Sequence, residues 1–140
     1  MPILKLTTTQ YRWAAILWTV ALLGAFSIPA ANIPNVDPAL SIDKVVHVIL
    51  FLGFGVLWMR ALCPPALPAP QLRRRGLALV LGGGAFAGLT EVYQHLMPIR
   101  RFGDPYDATA NLVGLVAAVI GYYAYHTRQH APPAAETTEP

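Results

Sequence analysis

Four long apolar runs constrain this chain more than any other feature: residues 13–31, 45–62, 76–97 and 108–125. Each approaches the roughly 20 apolar residues an α-helix needs to cross the hydrocarbon of a bilayer. Backbone polar groups in lipid must be satisfied within the segment, so runs of this kind fold as helices. Prolines punctuate the connections, with Pro29 and Pro34 in the first, a cluster from Pro64 to Pro70 in the second, and Pro98 in the third. The expected fold is all-α: a polytopic membrane protein built as a four-transmembrane-helix bundle. Residues 1–12 form a short N-terminal segment, 13–126 the helical domain, and 127–140 a disordered tail. The stretch from His126 onward is polar and proline-rich, which favours disorder.

Composition agrees. Of 140 residues, 55% are hydrophobic and 12% charged, about half the charged share of roughly 25% usual in soluble domains. The formal charge of +3 is carried by sparse basic residues at the ends of the apolar runs, which suits membrane orientation and not nucleic acid. With four spans, seven Lys and Arg lie on one side (Lys5, Arg12, Arg60, Arg73, Arg74, Arg75 and Arg128) and three on the other (Lys44, Arg100 and Arg101). The positive-inside rule then puts both termini in the cytoplasm. Tyr11, Trp13, Trp58, Tyr122, Tyr123 and Tyr125 fall at the cytoplasmic interface as an aromatic belt, and Arg73 to Arg75 read as an anchor. The first run is longer than a signal-peptide core, so it is expected to stay as a span. The single cysteine, Cys63, makes no internal disulfide.

The polar residues are concentrated. Glu91, Gln94, His95, Arg100, Arg101, Asp104, Asp107 and Asn111 follow closely in sequence, and Asp43, Lys44 and His47 open the second run. Residues three and four apart share a helix face. Asp43 and His47 are thus one turn apart. On the third run, Gly84, Gly88, Glu91 and His95 make a small-residue seam that leads to an acid, and on the fourth Asp107, Asn111, Gly114, Ala118 and Gly121 repeat the pattern. Small residues at this spacing let membrane helices approach closely, so both seams are expected to face the bundle and to bring polar groups from three helices to one depth. Glu91 stands about two turns inside the membrane, where a carboxylate costs on the order of 2.5–3.5 kcal/mol. It is expected to face inward and to pair with Arg100 or Arg101, with Lys44 and His47 next in line.

Other chemistry is poorly supported. "GGGAFAG" at 82–88 has no strand before it and does not make a dinucleotide loop. His47, Glu91 and His95 are metal-ligand types without a metal-ligand spacing. Neither a cofactor nor a metal is expected.

The ordered set D-K-x-x-H (Asp43, Lys44, His47), E-x-x-Q (Glu91, Gln94), an arginine, D-x-x-x-N (Asp107, Asn111) and a following glycine resembles the VanZ-like family of small bacterial integral membrane proteins. The resemblance spans residues 43–121. Arg100 and Arg101 both satisfy the position of the motif arginine. The family takes its name from a member linked to glycopeptide (teicoplanin) resistance, and its biochemical activity is generally unassigned. The resemblance implies a multi-pass protein of the bacterial cell membrane. The residues it carries over are Asp43, Lys44, His47, Glu91, Gln94, Asp107 and Asn111.

Together these residues predict an outward-facing polar pocket of Asp43, Lys44, His47, Glu91, Gln94, Arg100, Arg101, Asp107 and Asn111. Its expected partners are membrane lipids and, in the pocket, a lipid headgroup, a lipid-linked cell-wall precursor or an envelope-active antibiotic. Arginine suits a phosphate or carboxylate bidentately. Glu91, His47 and Asp107 are the candidates for acid or base chemistry. No activated nucleophile is visible, since Thr90 and Thr109 have no paired base at a readable spacing, and whether the chain is an enzyme stays open. The alternative is a non-catalytic assembly module whose polar cluster holds the helices together. A small transporter is a third reading, and without an inverted repeat it calls for a homo-oligomer.

Overall fold

A computed structural model describes residues 6–28, 42–96 and 105–129, with the side chains of residues 42 and 43 left out of the description. Four helices make up the described chain: α1 (Thr8–Phe26), α2 (Ile42–Leu62), α3 (Ala69–Leu96) and α4 (Pro105–Gln129). The all-helical class read from the apolar runs is what the chain adopts.

Local chemistry sets several boundaries. Thr7 caps α1 through a capping box, its hydroxyl accepting from the Gln10 amide at 3.3 Å while its own amide donates to Gln10 Oε1 at 2.8 Å. Pro105 opens α4, where a missing N–H costs nothing. Pro64, Pro65 and Pro68 keep the segment between α2 and α3 out of a helix. That segment is pinned to α4: Tyr122 Oη donates to the Cys63 carbonyl at 2.6 Å and His126 Nε2 to the Pro65 carbonyl at 3.0 Å. His126 is accordingly buried, and α4 runs on to Gln129 instead of giving way to a tail at His126.

The pairing of residues gives the topology. Lys44 meets Asp107 at one end and Arg60 lies over the Tyr122 ring at the other, so α2 and α4 run in the same direction. Tyr11 reaches Arg60 while Phe26 stacks on His47, so α1 runs opposite to α2. Arg73 meets Tyr123, and a Cβ on Gly84 would face Leu112, so α3 opposes α4. The parallel pair α2/α4 forms the most extensive interface, with α1 laid on α2 and α3 on α4.

Glycine makes the α2/α4 contact possible. A Cβ on Gly114 would collide with the Val48 carbonyl of α2, and one on Gly55 would stand 2.5 Å from the Ala118 Cβ of α4. Close backbone approach through small residues is the usual means of joining helices in lipid, where burial of apolar surface provides no net drive. The core around this seam is aromatic, with Phe26, Phe51, Phe54 and Phe86 in ring contact at centroid distances of 5.5–6.4 Å.

Outside, the helices are greasy. Leu17 and Val20 on α1, Val45 and Ile49 on α2, Leu81 and Leu89 on α3, and Ile120 on α4 are all exposed. Patches of this extent mark an interaction surface or a membrane. Among the described residues three helices are long and apolar enough to cross a membrane, Lys44–Leu62, Ala69–Leu96 and Pro105–Gln129, with mean hydropathies of 2.0, 1.4 and 1.4. That is consistent with a multi-pass membrane protein. α1 is not among them: it begins at Thr8, and Thr8, Thr9, Gln10 and Arg12 make its first turns polar. The expected first span, 13–31, extends beyond Ile28 into residues outside the described ones.

Candidate functional site

At the end of the bundle where α2 and α4 begin, four polar side chains form a chain of contacts. Lys44 Nζ stands 3.3 Å from Asp107 Oδ1, Asp107 Oδ2 is 3.9 Å from His47 Nε2, and His47 Nδ1 is 3.0 Å from Asn111 Oδ1. Helical spacing places them. Lys44 and His47 share a face of α2, as Asp107 and Asn111 do of α4, and the parallel run of the two helices sets each pair opposite the other.

Helix electrostatics explains part of the arrangement. Asp107 lies in the first turn of α4, where the positive end of the helix dipole favours an acid. Lys44 lies near the start of α2, where the same dipole disfavours a cation. The Asp107 carboxylate compensates for that placement, and the Tyr106 ring lies 5.8 Å from the Lys44 ammonium.

The tautomer of His47 follows from its partner. An amide oxygen only accepts, so Nδ1 donates to Asn111 Oδ1. Nε2 then faces the Asp107 carboxylate, beyond direct hydrogen-bond length. The imidazole is held in place from above by the Phe26 ring, stacked at 4.9 Å and 16°. Exposure is graded along the chain of contacts. The Lys44 side chain is 38% exposed and Asp107 12%, His47 is at 2% and Asn111 at 0%. Asn111 Nδ2, at the buried end, has no acceptor among the described residues. An unused buried donor costs about 1–3 kcal/mol.

α3 contributes at the same end. Thr90, Glu91 and Gln94 are buried on its inner face. Gln94 Nε2 donates to the Phe26 carbonyl at 3.3 Å, tying α3 to the residue that covers His47. Tyr93 and Ser27 hydroxyls share a 3.0 Å hydrogen bond beside it. Thr90 Oγ1 donates to the Ala87 carbonyl at 2.7 Å, so its proton is committed within its own helix.

The chain has no match among protein-family models, curated proteins or solved structures.

Of the nine residues expected to line the pocket, Lys44, His47, Asp107 and Asn111 are brought into direct contact, and Gln94 joins them through Phe26. Glu91 is buried, as expected of an acid inside a membrane helix. The expected partners for it divide. Lys44 pairs with Asp107, while Arg100 and Arg101 lie outside the described residues, as do Asp104 and the Asp43 side chain.

Two seams need correction. On α3 the buried small residues are Gly76, Gly83 and Ala87, and Gly88 and His95 are exposed. Gly83 is the residue that meets α4, a Cβ there falling 2.7 Å from Leu115 Cδ2. The inner face is thus rotated from the Gly84–Gly88–His95 line, and Glu91 stays inside because it adjoins both. On α4 the seam holds for Asp107, Asn111, Gly114 and Ala118, but Gly121 is exposed and Tyr122 takes the inner position. Among the described residues no group of three His, Cys, Asp or Glu is placed to hold a metal ion, His47, Glu91 and His95 included.

Sequence reasoning missed Phe26 and His126. Phe26 covers His47, and its only signal was an aromatic within an apolar run.

Proposed function

We propose that this chain is a VanZ-like membrane protein of four spans with both termini in the cytoplasm, and that the Lys44–Asp107–His47–Asn111 cluster lines an outward-facing pocket for an anionic group. The ligand class is a lipid headgroup, a lipid-linked cell-wall precursor or an envelope-active antibiotic. One observation carries this reading: the cluster is graded from a half-exposed cation to a buried donor with no acceptor among the described residues. An anion arriving at Lys44 competes with Asp107 for the ammonium. A carboxylate released from Lys44 is left facing His47 Nε2. Asn111 fixes the opposite nitrogen, so the imidazole presents Nε2 to the pocket. These are the parts of a binding site with acid–base capacity. The only buried hydroxyl beside it on α3, that of Thr90, donates within its helix, which favours binding over group transfer.

A second reading has its own support. The Gln94 bond to the Phe26 carbonyl spends a buried polar side chain on holding α1 against α3, as an interhelical lock would.

The test compares function with folding. Lys44→Ala, Glu91→Gln and, separately, Arg100→Ala and Arg101→Ala are expressed in bacteria challenged with a glycopeptide or another envelope-directed agent. The same variants are extracted in detergent and melted. A pocket predicts lost protection from variants that melt like the parent. Protection that fails only in variants that also unfold early supports the lock and removes the pocket.

A further inference from the structure

The opposite end of the bundle carries a second feature, independent of the pocket. Between α3 and α4 a cleft of about 350 Å³ is lined by Leu72, Arg73, Gly76, Val119, Ile120 and Tyr123. Its size falls within the range of about 300–1,000 Å³ typical of small-ligand sites. Gly76 makes the floor: a Cβ there would come to 3.1 Å from Val119 Cγ1. Leu72, Val119 and Ile120 give it aliphatic walls, and Arg73 and Tyr123 supply its polar side chains.

There Arg73 and Tyr123 are locked together. Nε and Nη2 of Arg73 donate to the Tyr123 hydroxyl oxygen at 3.1 and 3.0 Å, and the guanidinium lies 5.7 Å over the ring. Two donations occupy the acceptor positions of the hydroxyl, so its own proton is left to donate. Arg73 Nη1 has no acceptor among the described residues. A fixed guanidinium edge and a phenolic O–H side by side suit the oxygens of a phosphate. Arg74 and Arg75, next along α3, are exposed and add positive charge to this end, where no acidic residue is described. A headgroup with its own cation would be repelled there, whereas a net negative one is attracted. The apolar groove beneath needs an apolar occupant. Only an amphiphile meets both requirements.

We infer that the α3/α4 cleft seats an anionic phospholipid, with its phosphate on Arg73 and Tyr123 and an acyl chain along Gly76, Val119 and Ile120. The lipid stays bound through detergent extraction when the groove is open, and it sets the depth of α3 in the leaflet.

Native mass spectrometry of the detergent-purified full chain, titrated with dioleoyl phosphatidylglycerol, tests this. Dioleoyl phosphatidylcholine serves as the zwitterionic comparator and glycerol phosphate as the chain-free competitor. Phosphatidylglycerol is expected to bind about tenfold more tightly than phosphatidylcholine, and Arg73→Gln to remove that preference, as expected for loss of charge-assisted hydrogen bonds. Tyr123→Phe keeps the ring and is expected to weaken binding several-fold. Gly76→Leu presses against Val119 and Met59 at the base of the cleft, disturbing the α3/α4 seat, and is expected to abolish lipid retention with the arginines intact. Arg74→Gln is expected to leave binding unchanged. Equal loss in Arg74→Gln and Arg73→Gln would overturn the site in favour of diffuse charge, and competition by glycerol phosphate equal to that of the lipid would overturn the acyl seat. If Arg73→Gln loses helicity by circular dichroism, Tyr123→Phe and Gly76→Leu decide: parental binding in both, with the fold intact, rejects the inference.

Discussion

The two ends of the bundle solve the problem of charge at the ends of apolar helices in opposite ways. At the Lys44 end the charges come in both signs and answer one another across α2 and α4, with His47 between them. At the Arg60 end only cations are described, and they are met by rings and carbonyls. The Arg60 guanidinium lies 5.2–5.8 Å from the rings of Tyr11, Tyr122 and Tyr125, and Arg75 Nη1 donates to the Leu62 carbonyl. Ring faces and carbonyls are soft partners that hold a cation without being charged themselves. Removing one leaves little behind. Removing one member of a buried ion pair leaves an uncompensated charge. The first end is therefore where a substitution costs most, and where a ligand of one sign has something to displace.

Asp107→Ala is expected to have the largest effect. It removes the carboxylate that Lys44 and His47 share and should cost about 3 kcal/mol, the low end for a broken buried pair because Lys44 is partly solvated. Thermal unfolding in detergent measures it. The double variant Lys44→Met with Asp107→Leu should recover most of that loss, since apolar replacements of a buried pair are often neutral. A double variant as unstable as Asp107→Ala would mean that the carboxylate serves more than Lys44. Asn111→Ala comes next, at about 1–2 kcal/mol, because His47 Nδ1 loses its acceptor while buried.

Arg60→Met removes three ring contacts at the other end and is expected to cost about 1 kcal/mol, within the usual scale for cation–π pairs. A local reporter is available there. Cys63 is buried and its burial pushes the thiol pKa up, with Arg75 opposing in part, so maleimide should label it slowly in the parent and faster in this variant. A loss in Arg60→Met as large as that in Asp107→Ala would erase the distinction between the ends. Tyr123→Phe should be the mildest, at about 0.5 kcal/mol by chemical denaturation, since its hydroxyl bonds an exposed arginine.

Much of this was readable from residue order, and the reason differs by element. The runs that became α2, α3 and α4 were legible because apolar length is a signal that needs no partner. Lys44, His47, Asp107 and Asn111 were legible as a group because helical spacing fixes a face and the charges have opposite signs. The inner face of α3 was not. Gly82, Gly83 and Gly84 offer adjacent registers, and it takes Leu115 of α4 and Phe54 of α2 to select Gly83. Phe26 over His47 was hidden for the same reason: the stack joins two helices through a connection that spacing does not describe. The start of α1 at Thr8 rests on the Thr7 capping box, which an apolar count overlooks.

Chain order gives the Lys44–Asp107 pair a further consequence, for biogenesis. The two residues are 63 positions apart, and all of α3 is made between them. At about 5–20 residues per second, α2 waits roughly 3–13 seconds before its counter-charge emerges from the ribosome. During that interval its leading end carries a cation and an imidazole that nothing yet synthesised neutralises in the final way. The pair closes only when the last helix is in place. It thus ties the leading end of α2 to the completion of α4: until residue 107 has been made, Lys44 and His47 lack the carboxylate that both meet in the folded chain.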